Sequence, residues 1–427
     1  MPKFLQKHLP VTTPYQDEIL YSVFARYHDK SPNFNGSETA RDLFSVNRIV
    51  CSLEIPTLLA NLLQNMPLNS PFDADRLIVE HTLFPFYAAF LSLKNKNIIR
   101  QYLLYGDVEI YNKITSIINP LAENKFLRFC SKCNKEDLDI YGELYWHRIH
   151  QVRGIYICPI HKTPIYDSNV SFEENKYKYV VATEKNCIVE SEIAYEPKTY
   201  ERLLIIAEDM DWILNNPVIN TNIKDQYLNQ LKILEYATVN GGLRQRNLIA
   251  DFEAFWGNEV LQMTQNTITK TNNCNWLFKM GWNKATIEDP LKHILLMRFL
   301  SLPPDVLFNH NIEYLPFGKG PYPCLNPVCV QYENEIIENV EIRNSYKTKS
   351  PIGYFTCPEC GFSYLRRGPD EKIEDRYRYS RIVDYGYYWR EELMRLLKYN
   401  SVPKVAKIMG TTHTTVYDYI RRLGVRK

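Results

Sequence analysis

The sequence contains no run of about eighteen apolar residues, so it offers no candidate for a membrane-spanning helix. Its first residues, MPKFLQKHLPVTTPYQDEIL, also lack the apolar core of a secretory signal. We therefore expect a cytoplasmic protein. In that reducing compartment the ten cysteines should be thiols or metal ligands, because disulfides form mainly where the environment is oxidising.

Basic residues are concentrated in the C-terminal part of the chain. Residues 342–427 contain 18 Lys and Arg but only 9 Asp and Glu, a net charge of +9. Since the whole chain carries +2, the first 341 residues carry −7. A basic segment on an acidic body is typical of a protein that binds a polyanion at one end, although chance clustering of charge would give the same count.

Helical periodicity dominates the chain, whose 427 residues favour several domains. In YQDEILYSVFARYHD the apolar residues share one helical stripe: Ile19, Leu20, Val23, Phe24 and Tyr27. In DRLIVEHTLFPFYAAFLS, Pro85 predicts a break in the helix. Residues 167–195 alternate enough to predict a few short strands, and residues 199–302 return to a helical pattern. We expect a mainly α fold with small zinc-binding β elements.

Residues 128–164, RFCSKCNKEDLDIYGELYWHRIHQVRGIYICPIHKTP, contain six candidate metal ligands. These are Cys130, Cys133, His147, His150, Cys158 and His161. A zinc knuckle is Cys-x-x-Cys or Cys-x-x-His on a tight turn, and two knuckles complete a tetrahedral shell. CSKC and CPIH are such knuckles, which selects Cys130, Cys133, Cys158 and His161 as the ligands of a structural zinc ion.

The remaining pair, His147 and His150, allows two interpretations. Packing or hydrogen bonding beside Trp146 is the simpler one. The alternative makes them ligands of a second or catalytic metal, which needs an open coordination position and usually a carboxylate base. Glu143 is the nearest candidate base, and it fits no known spacing. We therefore expect a closed structural site.

A second cysteine segment contains PCLNPVC followed by TCPECG. Its four cysteines are separated by 4, 27 and 2 residues, a spacing typical of a zinc ribbon with a wide first pair: Cys324, Cys329, Cys357 and Cys360. Four incidental thiols would be the alternative. The isolated Cys51, Cys187 and Cys274 should be buried as small hydrophobic residues.

The end of the chain, NSVPKVAKIMGTTHTTVYDYIRRLGVRK, predicts two short helices joined by a turn. Ser401 can cap the first helix and Gly410 ends it. Val405, Ala406 and Ile408 should face inward. Residues 413–423 should form the second helix, with a core stripe of Val416, Tyr419, Ile420 and Leu423. This arrangement indicates a helix-turn-helix unit, although a helical hairpin that packs on its own chain is the alternative.

In a helix-turn-helix unit the second helix lies in the major groove and reads bases from its N-terminal residues. The candidate DNA-binding residues lie off the core stripe or beyond it: His413, Thr414, Thr415, Tyr417, Arg421, Arg422, Arg426 and Lys427. Thr and His side chains can reach base edges or phosphates, whereas the Arg and Lys side chains suit phosphates.

With these features assembled, the chain resembles the TnsD/TniQ family of transposon target-site selection proteins, as a long, TnsD-type member. The N-terminal resemblance rests on YQDEILYSVFARYH, LIVEHTLFPFYAAF and FCSKC…YGELYWHRIHQVRGIYICPIH. Farther along the chain, HILLMRFL, PCLNPVC…GYFTCPECGFSYLRR and VDYGYYWREELMRLL resemble the long members. The resemblance implies that Cys130, Cys133, Cys158 and His161 bind the zinc ion of a TniQ module.

The resemblance also implies a function without catalysis. Such a protein recognises the insertion site of a cut-and-paste transposon on double-stranded DNA and recruits a TnsC-like AAA+ ATPase regulator, through which the transposase is engaged. Three alternatives stay open: an adaptor for an RNA-guided effector complex, a zinc-containing transcription regulator, and a zinc enzyme. The zinc enzyme is disfavoured because the sequence lacks a cluster of acidic ligands or a plausible general base.

We expect four domains and two structural Zn²⁺ ions. The domains are a TniQ module with its zinc finger at 1–166, a central mixed then helical domain at 167–315, a zinc ribbon at 316–385, and the helix-turn-helix unit at 386–427.

Overall fold

The structure is a computed structural model that describes residues 13–422 with several gaps. Outside the description lie residues 1–12, 51, 54, 68–69, 108–123, 173–174, 176, 219–221, 269–274, 282–288, 349 and 423–427. The described residues form seventeen α-helices, one 3-10 helix and eight short strands. A mainly α fold with small antiparallel sheets confirms the predicted fold class.

The chain divides into two compact units. The first contains the described residues up to Tyr227 together with Arg246–Asn311, and the second contains Leu228–Gln245 and the described residues from Ile312 onward. The second unit therefore includes a segment that lies within the stretch assigned from sequence to a central domain. The finer division into four domains remains a prediction.

Six helices begin the first unit: α1 (Leu20–Lys30), α2 (Gly36–Phe44), α3 (Leu59–Asn65), α4 (Ala74–His81), α5 (Phe84–Ala88) and α6 (Leu93–Tyr105). The whole apolar stripe predicted around α1 is buried. α4 ends at His81 and α5 carries Pro85 in its first turn, so the predicted helix break is confirmed. Proline is tolerated there because the first turn of a helix leaves its N–H groups unpaired.

A two-stranded antiparallel sheet frames the first Cys/His cluster. It pairs β1 (Phe126–Phe129) with β2 (Tyr166–Ser171), and α7 (Ser131–Tyr141) and α8 (Arg148–Gln151) lie between them in sequence. In the described part of 167–195, β2 is the sole strand, where several were expected. The buried Arg128 of β1 donates to the carbonyl oxygens of Val152 and Ile155 at 2.5 and 2.6 Å, which ties the sheet to the chain after α8.

The later helices are α9 (Pro197–Asn215), α10 (Ile223–Ile233), α11 (Gln245–Met263), α12 (Trp276–Gly281), α13 (Pro290–Phe299) and α14 (Pro304–Asn309). α13 is buried on nearly every side, so it forms the centre of this helical part. Its His293 ring stacks on Phe90 at a centroid distance of 4.3 Å. No helix in the described part of the chain is long and apolar enough to cross a bilayer.

Two small sheets and three helices make up most of the second unit. β3 (Tyr322–Pro323) pairs with β4 (Glu335–Ile337). The larger antiparallel sheet has the order β5 (Val340–Asn344), β6 (Pro351–Thr356), β7 (Ser363–Arg367) and β8 (Arg381–Asp384), with a 3-10 helix at Ile373–Tyr377. The helices are α15 (Gly386–Leu397), α16 (Val402–Ile408) and α17 (His413–Arg422). The buried residues Phe355 and Tyr364 belong to the core beside the sheet, and the buried Trp389 belongs to the core between the helices.

Candidate metal centres and nucleic-acid interface

The first Cys/His cluster joins the end of β1 to a turn that follows α8. Cys130 directly precedes α7, and Cys133 lies in the first turn of that helix. Cys158 and His161 lie on the turn that leads toward β2. The ligand atoms of the four residues all lie within 4.8 Å of one another, and the three thiols are buried. The structure thus brings together the four residues selected by the knuckle spacing.

The spacing of these atoms fits a tetrahedral ion rather than a disulfide. The Sγ atoms of Cys133 and Cys158 are 3.8 Å apart. Two thiolates on one tetrahedral zinc ion, with Zn–S bonds of about 2.3 Å, are separated by about 3.8 Å, whereas a disulfide requires about 2.05 Å. The Nδ1 atom of His161 lies 3.2 to 3.9 Å from the three sulfurs. The set can therefore hold a metal ion through four protein ligands.

Glu136 orients the histidine of this cluster. Its carboxylate accepts a hydrogen bond from Nε2 of His161 at 2.9 Å. A proton on Nε2 leaves Nδ1, the atom that faces the thiols, free to bind a metal, and such carboxylate partners are typical of zinc-bound histidines. The sequence interpretation missed Glu136. Its position one helical turn after Cys133 is the signal that could have indicated it.

The two remaining histidines have other partners. Nε2 of His147 lies 2.9 Å from the Asp137 carboxylate, and its ring stacks on Tyr145 at 4.2 Å. His150 is fully buried, and its Nε2 lies 3.6 Å from Cys133 Sγ. Burial lowers the pKa of His150 well below its usual value, so the neutral ring can donate its Nε2–H to a thiolate. Neither histidine belongs to the four-residue cluster.

Glu143, the candidate general base, is engaged in an ion-pair network of its own. Its carboxylate accepts hydrogen bonds from Lys30, Arg26 and Tyr15 at 2.7, 2.9 and 2.7 Å. Burial alone would raise the pKa of Glu143, but the hydrogen bond from Lys30, with those from Tyr15 and Arg26, lowers it to about 2. Glu143 therefore acts as the anionic partner of a cationic cluster.

The second cluster consists of four cysteines in the second unit. The Sγ atoms of Cys324, Cys329, Cys357 and Cys360 lie within 4.8 Å of one another, and all four residues are buried. Cys324 follows β3, and the Cys357–Cys360 knuckle connects β6 to β7. The Sγ atoms of Cys324 and Cys360 are 3.8 Å apart, the separation of two thiolates on a tetrahedral zinc ion.

Polar groups within and just after the wide first pair support this second cluster. The side chain of Asn326 is fully buried and donates through Nδ2 to Cys360 Sγ at 3.4 Å. The backbone N–H of Gln331 donates to Cys329 Sγ at the same distance. The extra residues between Cys324 and Cys329 thus supply a donor to the sulfurs. Of the isolated cysteines, Cys187 is partly buried, while Cys51 and Cys274 lie outside the described residues.

The last three helices pack as a helix-turn-helix unit around one core. Its buried residues are Trp389, Leu393, Leu396, Val402, Val405, Ala406, Met409 and Val416. The prediction that Ile408 faces inward is wrong, because its side chain is 44% exposed and Met409 fills the core position at 1%. α16 ends at Ile408, and the chain turns through Gly410 at a φ of 63°. Met409 lies four residues after Val405 and three after Ala406, so helical spacing places it on the core stripe and leaves Ile408 outside it.

The N-terminal face of α17 is open to solvent. Thr412 precedes the helix, and its hydroxyl accepts a hydrogen bond from the Thr415 N–H at 3.2 Å. His413, Thr414, Tyr417, Arg421 and Arg422 are exposed, and Thr415 is partly exposed. Val416 is buried, and Tyr419 and Ile420 pack against the core as predicted. Leu423, Arg426 and Lys427 lie outside the described residues.

The second cysteine cluster and the helix-turn-helix unit are directly joined. The N–H of Tyr387 donates to the carbonyl oxygen of Cys360 at 3.1 Å. Gly386, at a φ of 79°, lies against the same carbonyl, where a Cβ atom would collide with it. The Tyr385 ring contacts Trp389 at 4.3 Å and Tyr419 at 5.6 Å. The cysteine knuckle therefore fixes where the first of the three helices begins.

Comparison with known proteins connects both parts of the chain to transposition. Residues 206–427 match the family of Tn7-like transposition protein D (TnsD), and residues 10–165 match TniQ. The chain is 26% identical over 158 residues to the transposon Tn7 transposition protein TnsD of Escherichia coli. That alignment covers 36% of this chain and 30% of the relative, so the chain spans less than a third of that protein's length.

Proposed function

Since the chain belongs to the Tn7-like transposition protein D family, we propose that it selects the target site of a cut-and-paste transposon. In this proposal the protein binds double-stranded DNA at the insertion site. It then recruits a TnsC-like AAA+ ATPase regulator, through which the transposase is engaged. The protein performs no catalysis itself and uses two zinc ions as structural elements.

The exposed N-terminal face of α17 is the observation that carries the DNA-binding part. A recognition helix must be held rigidly from behind while its first turns stay open to base edges. α17 meets both requirements, because Val416 is fully buried while His413, Thr414 and Tyr417 face solvent. His413 and Thr414 are placed to reach base edges, and Arg421 and Arg422 to reach phosphates.

The two clusters are assigned to structural zinc. Each would hold the ion through four protein ligands, and a closed tetrahedral shell supplies cross-linking rather than chemistry. In the first unit, the ligands join the end of β1 and α7 to the turn before β2. In the second unit, they join the β3 region to the knuckle on which α15 begins. Loss of the second ion should therefore displace the DNA-binding helices.

Recruitment of the ATPase is assigned to the first unit. This assignment is supported by the TniQ match, which lies within residues 10–165. It is also supported by the division of charge, since the basic residues 342–427, with a net charge of +9, belong to the second unit. The two functions would thus be carried by different units.

The test uses the full chain and the AAA+ ATPase encoded beside it. The chain should enrich one sequence motif from a library of random duplexes and should co-purify with the ATPase. The double variant His413→Ala/Thr414→Ala should lose the motif enrichment and still co-purify with the ATPase. Its control is Lys404→Ala/Lys407→Ala, on exposed positions of the preceding helix, which should retain the motif.

Two results would contradict the proposal. A chain that enriches no motif and associates with the ATPase only in an RNA-containing complex would be an adaptor for an RNA-guided effector. A chain that enriches a motif but never binds the ATPase would be a transcription regulator.

A further inference from the structure

The sheet β5–β8 has one covered face and one open face. Side chains alternate across the strands, so paired residues of neighbouring strands share a face. Phe355 of β6 pairs with Tyr364 of β7, and both are fully buried in the core beside the cysteine cluster. Arg366 also points into this core, where its guanidinium lies 4.4 Å from the Phe355 ring centroid.

The open face is basic with an aromatic centre. Its register places Arg343 beside Ile352 and Ile352 beside Arg367, in one row across three strands. In the next row, Tyr354 pairs with Leu365, and Leu365 pairs with Arg381. We call these six residues the open sheet face. Three arginines from three different strands therefore surround a small platform of partly exposed apolar and aromatic side chains.

Two of these arginines lack acidic partners. Arg367 and Arg381 are exposed, and neither guanidinium forms an ion pair with any residue that the structure describes. The nearby Asp384 is already held by Arg390 at 2.8 Å. Glu341 is the acidic residue on the same face, opposite Tyr354, and it pairs with Arg343, whose guanidinium lies 4.8 Å from the centroid of the Tyr354 ring. The face thus carries an excess of positive charge.

Charge and spacing both favour an extended polyanion as the occupant. Neighbouring strands are about 4.8 Å apart, so Arg343 of β5 and Arg381 of β8 lie about 14 Å apart across the sheet. One compact anion is too small to span the whole set, whereas a nucleic-acid backbone presents successive phosphates over such a distance. Ile352 and Leu365 carry no donor or acceptor, and the Tyr354 hydroxyl alone is not a pattern for reading bases, so contact with the backbone is favoured over contact with base edges.

We propose that the open sheet face binds the phosphate backbone of duplex DNA, beside the stretch read by α17. This inference rests on the proposed function, because it adds a second, sequence-independent contact to the same DNA. The physical connection lies in the second unit, where the Cys360 carbonyl fixes the start of α15. The sheet would supply affinity, and the helix would supply discrimination.

The test compares the full chain with Arg367→Ala/Arg381→Ala on a fluorescent duplex of random sequence. Each phosphate contact contributes about 0.9 to the slope of log affinity against log salt, so the slope should fall by about 1.8. The ratio of wild-type to variant affinity should then shrink about 12-fold between about 50 and 200 mM salt. Arg367→Lys/Arg381→Lys should restore most of the slope, because lysine keeps the point charge.

A charge-matched control separates contact from net charge. Arg76→Ala/Arg100→Ala removes two exposed arginines of the first unit that are already paired with Glu80 and Asp75. It should leave the slope unchanged. Zinc content and thermal unfolding should match the wild type in every variant. A smaller slope of log affinity against log salt then reports the loss of a phosphate contact.

The outcomes distinguish this inference from the proposed function. Suppose that Arg367→Ala/Arg381→Ala binds random duplex as the wild type does, while the wild type still enriches a motif. The open sheet face then does not contact DNA, and the proposed function stands. If the wild type binds no duplex, both fail. If Arg367→Ala/Arg381→Ala loses binding to single-stranded RNA but not to duplex DNA, the face binds RNA and the proposal of duplex DNA is wrong.

Discussion

The Nε2 atom of His147 lies 2.9 Å from the carboxylate of Asp137, and both side chains are almost fully buried. This pairing takes the ring away from the neighbouring thiols, although His147 lies only three residues before His150, whose Nε2 is 3.6 Å from Cys133 Sγ. His147 thus pairs with a carboxylate and His150 lies beside a thiol, whereas His161 is the histidine that belongs to the four-residue cluster. Substitution of His147 should therefore leave the bound metal in place.

Purified protein should contain about two zinc ions per chain, each held by four protein ligands. Cys133→Ser should lose one ion and unfold at a lower temperature, because zinc binding can contribute on the order of 10–16 kcal/mol to the folding of small modules. His147→Ala and the milder His147→Gln, which can still donate to Asp137, should retain both ions. Elemental analysis and thermal denaturation provide the measurements.

Cys187→Ser is the matched control for the metal analysis, since this cysteine lies outside both clusters. It should keep both zinc ions. One zinc ion lost from the folded His147→Gln protein would show that the ligand set assigned here is wrong.

Glu136→Gln should weaken zinc binding without abolishing it. The carboxylate holds Nε2 of His161 and makes Nδ1 the metal-binding atom. Loss of a carboxylate that hydrogen-bonds a metal-binding histidine typically lowers metal affinity by about 10- to 100-fold. Competition with a chromogenic chelator measures the change. The control is Asp139→Asn, which changes an exposed carboxylate on the same helix and should leave the zinc affinity at the wild-type value. Equal zinc affinities for the wild type and both variants would exclude this role for Glu136.

Substitutions on α17 should separate discrimination from affinity. Arg422→Ala should weaken binding to all duplexes about equally, because phosphate contacts carry no sequence information. Thr414→Ala should weaken binding to the selected motif more than binding to random duplex, by about 1–3 kcal/mol if it removes a good base contact. Titrations of each variant on both duplexes at two salt concentrations measure the difference. If deletion of residues 386–427 left motif binding intact, α17 would be a packing element.

Asp209 should make stability depend on pH. Its side chain is 1% exposed and accepts two hydrogen bonds from Arg298, at 2.5 and 2.6 Å. Burial raises the pKa of Asp209 to about 6, against the lowering effect of Arg298. The native state then binds more protons than the unfolded state between about pH 4 and 6, so this carboxyl contributes less stability as pH rises through that range.

Between pH 5 and 7 the wild type should lose roughly 1 kcal/mol more unfolding free energy than Asp209→Asn, which does not titrate. Urea denaturation at both pH values measures this difference. Glu208→Gln, a substitution of the more exposed neighbour, should keep the wild-type dependence. Parallel pH profiles for the wild type and Asp209→Asn would show that Asp209 is ionised throughout this range.

The sequence by itself determined the features that depend on local spacing. Both sets of clustered ligands were identified from knuckles, because two residues between ligands are enough to define the turn that wraps an ion. The helix α1, the break at Pro85 and the last two helices were likewise predicted from local patterns. The assignment to the family was made from such motifs, and the two family matches confirm it.

Tertiary structure decided the features that depend on partners distant in the chain. Glu136 meets His161 across 25 residues, and Asn326 meets Cys360 across 34, so neither supporting contact has a local signature. The position of Leu228–Gln245 in the second unit depends on long-range packing as well. Strand pairing assembles the open sheet face from residues between 343 and 381, because register decides which side chains share a surface.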